Sequence, residues 1–183
     1  MNAGSRTVTR SGALLVAALV LLHARAWTQE NSDCFACHGD KSLTAKHGTK
    51  TVSLFVDGKH FASSVHGTLP CVACHADLQG KELPHDAPLK RVDCGGCHAD
   101  QARQHTESLH GQAIARGDQL APHCVDCHGN HEITPVKDPR SAVAPQRIPW
   151  VCGKCHQEGS PVQRQRVIHE EHILENYSES IHG

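Results

Sequence analysis

The sequence predicts a mainly α-helical and irregular fold, with short helices, long loops and little strand. Three observations lead there. All ten cysteines fall in five copies of Cys-x-x-Cys-His. Histidine supplies 17 residues, while aromatics make up only 3% of the chain. Mean hydropathy is −0.42. A chain of 183 residues this polar has too few large apolar side chains for an ordinary core.

The motifs supply what the side chains lack. They are Cys34-x-x-Cys37-His38, Cys71-x-x-Cys74-His75, Cys94-x-x-Cys97-His98, Cys124-x-x-Cys127-His128 and Cys152-x-x-Cys155-His156. This spacing is that of covalent c-type haem attachment, so five haem c groups are expected. The two thiols of each motif (Cys34 and Cys37, Cys71 and Cys74, Cys94 and Cys97, Cys124 and Cys127, Cys152 and Cys155) add to the haem vinyl groups. The adjoining His38, His75, His98, His128 and His156 then become axial ligands to iron. Zinc sites also use paired Cys-x-x-Cys, but zinc gives no reason for a histidine after every second cysteine. Chance would produce that on the order of once in 10⁵. A disulfide scaffold fails by the same test. Each haem is a large apolar plate tied to the chain, so a haem-cored fold is expected, unstable without the cofactor.

Residues 1–26 read as a secretory signal. Arg6 and Arg10 precede an apolar run from Gly12 to Leu22, too short for an obvious membrane span. Ala24-Arg25-Ala26 supplies a small-x-small cleavage pattern. The expected mature chain, 27–183, is one pentahaem domain with no membrane span. It should lie in the periplasm or another extracytoplasmic space. Losing Arg6, Arg10 and Arg25 makes the formal charge of −1 more negative, and no basic stripe marks a nucleic-acid partner.

Along the mature chain, Val52–Val56 followed by Asp57-Gly58 suggests a small hairpin. A two-haem repeat then occupies about 64–98 and 108–156. Each copy opens with Ser-x-His-Gly, at His66 and His110. A Cys-x-x-Cys-His follows, then a spare histidine (His85, His131), then Cys-Gly-x-Cys-His. Ala99–Ala115 reads as one helix and Gln163–Tyr177 as another, while 113–122 and 132–149 read as surface loops. Residues 178–183 open a third copy at His182, so the chain resembles a fragment of a longer multihaem protein.

The one methionine is Met1, in the signal segment, so Met ligation of iron is excluded from the mature chain. Repeat register selects His66, His85, His110, His131 and His182 as distal iron ligands, one for each haem, with His60 as a substitute. His131 is three residues from His128. That stretch spans at most about 10–11 Å, short of the roughly 12 Å between Cα atoms on opposite faces of one iron. His131 is therefore expected on another haem. The first haem, with no Ser-x-His-Gly before it, is the expected candidate for an open iron position.

These residues resemble the extracytoplasmic multihaem c-type cytochromes, near the cytochrome c3-like and doubled Cys-x-x-Cys-His proteins, over about 31–183. The resemblance implies bis-His haems packed as an electron relay, with no catalytic residue. It also implies redox partner proteins, among them a membrane cytochrome b or a quinol-oxidising complex. Two other readings stand beside it. One is an oxidoreductase acting on a small nitrogen or sulfur compound at an open iron. The other is a subunit of an extracellular cytochrome filament.

Overall fold

The computed structural model describes residues 29–86, 89–166 and 172–180. Short helices alternate with loops, and the described strands form a single two-stranded sheet. The elements are α1 (Asn31–His38), β1 (Thr44–His47), β2 (Lys50–Ser53), α2 (Gly58–Ser63) and α3 (Cys71–Cys74). They continue with α4 (Ala99–Glu107), α5 (Leu109–Ala115), α6 (Cys124–His128), α7 (Ile148–His156) and α8 (Ile173–Ser178). Short 3₁₀ turns cover Ala76–Leu78, Cys94–Gly96 and Pro145–Arg147.

Every described haem motif sits on a helical turn. Cysteines three apart on such a turn lie on one face, so both thiols meet the same edge of a ligand. In three motifs a side chain fixes the helix start, and before the third Asp93 accepts from Gly95 N–H at 2.9 Å. Asp33 accepts from the Glu30 backbone N–H at 3.0 Å before the first motif. Asp126 accepts from the His123 N–H at 2.7 Å before the fourth. Asn31 joins the first two motifs. Its Oδ1 accepts from Cys71 N–H at 2.7 Å and its Nδ2 donates to Leu69 O at 3.1 Å.

The expected hairpin is displaced. Strands β1 and β2 pair antiparallel with Thr44 opposite Ser53 and His47 opposite Lys50. Gly48, at φ 62°, takes the left-handed conformation that the tight turn requires. Asp57 is a helix cap instead of a turn residue, accepting from the Lys59 and His60 N–H groups at 2.9 and 3.1 Å. The acidic side chain competes better for free helix N–H groups than for a turn.

The single helix expected over Ala99–Ala115 is broken at Ser108. This residue is extended and caps α5, accepting from Gly111 N–H at 3.1 Å. Gly111 packs against the His105 carbonyl, where a side chain would collide. The helix expected over Gln163–Tyr177 is α8 at its C-terminal end, while 161–166 form turns. The stretch 132–149 is more than a surface loop, because Ser141, Ala144 and Pro149 are buried within it. The signal segment and His182 lie outside the described residues.

Among the described residues only Leu78 and Ala144 form a buried apolar core, and no large side chain is fully buried. Trp150 stands 66% exposed on the helix that carries Cys152, two residues before it. Replacing Ser108 by Ala removes the α5 cap and should cost about 1 kcal/mol. Chemical unfolding of the haem-loaded protein will show this as a lower midpoint at unchanged slope.

Candidate haem sites

Four of the five motif histidines face another imidazole at nearly the same spacing. His38 and His85 have ring centroids 6.0 Å apart and nearly parallel planes, 9° apart. His98 meets His66 at 5.9 Å, His75 meets His131 at 6.1 Å, and His156 meets His110 at 6.1 Å. A bis-imidazole iron has two metal–nitrogen bonds of about 2.0 Å. Adding about 1.1 Å from each nitrogen to its ring centre puts the centroids roughly 6.2 Å apart. The residues therefore fit iron held between paired imidazoles.

The pairs follow the repeat in two ways. The Ser-x-His-Gly histidine of each copy reaches forward to the second motif of its own copy, as His66 to His98 and His110 to His156. Each spare histidine reaches back to an earlier motif, as His85 to His38 and His131 to His75. The first motif thus has a partner, contrary to the expectation that it is the open one. The error lay in seeking that partner upstream, when it arrives from the following repeat. Among the described residues His128 is the motif histidine with no ring opposite.

Backbone carbonyls orient some of the rings. His38 Nδ1 bonds to Leu54 O at 2.8 Å, and His85 Nδ1 to Asp86 O at 3.2 Å. Each bond engages Nδ1 and leaves Nε2 as the nitrogen available to a metal, as an outer-shell carbonyl does for metal-binding histidine. The Nδ1 atoms of His75 and His156 are buried without a partner. Sequence reasoning missed Leu54, because a carbonyl ligand leaves no residue signature. It also missed Asn31, one polar residue among many.

The unpaired histidines have other roles. His105 Nε2 bonds to Pro122 O at 3.2 Å. His123 caps α6. His60 lies 3.4 Å from Glu132 and 3.7 Å from Asp57 on the surface, so its place as substitute ligand falls away.

The cysteines are all free thiols, and sulfurs of successive motifs are neighbours. Burial, then the adjacent Cys34 thiol, pushes Cys71 up to about 11. Burial raises Cys94, with Cys124 and Cys74 adding to it. Burial raises Cys127, with Cys152 and Cys155 behind it. The five attachment turns therefore succeed one another in space in chain order. Protonated thiols are poor nucleophiles, which slows disulfide formation between these neighbours before haem is attached. Among the described residues no group of three or more His, Cys, Asp or Glu gathers around a bare metal ion.

Residues 34–127 match the family described as cytochrome c-type protein NrfB-like. The chain belongs to that family. It is 29% identical over 110 residues to cytochrome c-type protein NrfB of Escherichia coli O6:H1, covering 59% of this chain and 55% of the relative. It is 28% identical over 106 residues to cytochrome c-type protein NrfB of Haemophilus influenzae, covering 54% and 45%. The chain therefore matches about half the length of these curated relatives. No solved structure matches. A c-type cytochrome carries covalently bound haem c, and the motif turns are where this chain provides for it.

His75, His110 and His131 all titrate below the ordinary imidazole value, chiefly because they are buried. The unfolded chain then binds more protons than the folded one as pH falls below about 6.5. Iron ligation acts in the same direction, since it needs neutral imidazole. Stability of the haem-loaded protein should be fully present above that pH and fall progressively below it. Denaturant midpoints measured between pH 7.5 and 5 will record the loss.

Proposed function

We propose that this protein is an extracytoplasmic electron carrier with five haem c groups in a row, each iron closed by two histidines. The four imidazole pairs near 6 Å carry this reading. When bound, the haems supply one-electron relay sites. The chain's residues fix the iron-binding rings, hold both axial positions shut and keep successive attachment turns adjacent. With no open position, iron changes charge without binding a substrate. Imidazole on both faces, with no mature methionine, favours low potentials. Electrons then pass between redox partner proteins, with a membrane cytochrome b or quinol-oxidising complex as the donor class. Among the described residues no helix is long and apolar enough to cross a membrane.

His182 is the proposed partner of His128. It stands almost as far along the chain from His128 as His131 does from His75. Helix α8, just before it, packs on α7, with Leu174 against Gly153. That helix begins its haem motif at Cys152, beside Cys127. A side chain at Gly153 would strike Leu174. Gly153 thus leaves room for Leu174, and α8 lies beside the fifth motif, next to the fourth.

His182→Ala should convert one haem of five from low-spin to high-spin ferric, seen by electron paramagnetic resonance. His60→Ala should leave the spectrum unchanged. Wild-type protein should show five low-spin haems and no turnover of nitrite, hydroxylamine or tetrathionate. A high-spin haem with turnover of any of these would favour the oxidoreductase reading instead.

A further inference from the structure

The residues of the β1–β2 hairpin lie almost wholly exposed. Its sequence shows no apolar face that packing would explain. The residues from 41 to 56 include Lys41, Lys46 and Lys50 but no Asp or Glu. The formal charge of the whole chain is −1, and haem propionates would make it more negative. Lys46 and Lys50 flank the turn, and none of the described ion pairs includes either of them. His47 is directly opposite Lys50 in the pairing register, so basic groups crowd a turn where like charges are unfavourable. Lys41 is held lower down, its Nζ 5.7 Å from the Phe55 ring centre. The nearby carboxylates lie at the hairpin's base and are engaged. Asp40 accepts from Ser42, and Asp57 caps α2.

The hairpin also ends on a haem ligand. The residue after β2 is Leu54, whose carbonyl holds His38 Nδ1 at 2.8 Å, and Val56 N–H donates to His38 O at 2.7 Å. A positive turn is thus tied, through one four-residue strand, to the first axial histidine.

We propose that this hairpin docks an acidic one-electron redox protein and brings its cofactor to the first haem. The inference rests on the electron-relay reading. Complementary charge would raise the encounter rate and orient the partner at one end of the row. One electron leaves the partner's reduced cofactor and takes ferric iron to ferrous, with no bond made or broken. Lysines on an exposed strand pair also discourage edge-to-edge aggregation. That role alone would leave partner kinetics untouched.

The test uses haem-loaded protein and two reductants, flavodoxin hydroquinone as the acidic protein and neutral riboflavin hydroquinone as the uncharged one. The substitutions are Lys46→Glu with Lys50→Glu. The control, Lys137→Glu with Arg164→Glu, makes the same charge change elsewhere. Stopped-flow reduction by flavodoxin at low salt should slow at least about tenfold in the hairpin variant and by much less in the control. The difference should vanish at high salt, and riboflavin should reduce all three proteins equally. Equal slowing of hairpin variant and control would overturn the docking site while leaving the relay intact. So would unchanged rates with aggregation of the hairpin variant. Incomplete reduction of wild type by excess flavodoxin hydroquinone would overturn the relay itself, and the docking site with it.

Discussion

Pairs of imidazoles about 6 Å apart set the constraint on which the fold depends. Four such pairs occur, and each joins residues far apart in sequence. Closing those long loops costs entropy that scattered polar contacts do not recover. In the proposed arrangement, iron–histidine bonds would close them, and the covalent attachments would keep each plate in place. The near absence of buried apolar side chains in the described residues follows directly. A chain that surrounds covalently bound haem needs little apolar bulk of its own.

Interlocking pairs also explain how a chain with so little sheet and such short helices holds one arrangement. Each repeat supplies one histidine to itself and lends another backwards. The Val65 N–H donates to Ile133 O at 2.9 Å, tying the opening of one repeat to the segment after the spare histidine of the next. Asn31 similarly stitches the first attachment turn to the second. The attachment turns therefore run in order.

The attachment residues and the ligand candidates were legible in the sequence because their chemistry demands fixed spacing. The haem-cored class was legible because composition excluded the alternative. The pairing pattern was legible only in part. Reach kept His131 off the haem of His128, but nothing local says that His85 turns back to His38. Ser108 and Asp57 show why element boundaries were harder. A serine within an apolar-periodic run reads as helix until its cap is seen, and Asp-Gly reads as a turn until the following N–H groups claim the carboxylate. Leu54 and Asn31 were invisible, because one acts through its backbone and the other through a geometry that long-range folding creates.

Anomalous diffraction at the iron absorption edge, from crystals of the haem-loaded protein, tests the central claim most directly. Five iron positions are expected. Four should lie midway between His38 and His85, His75 and His131, His98 and His66, and His156 and His110. Fewer than five irons, or an iron bonded to only one imidazole of any of these four pairs, would contradict it.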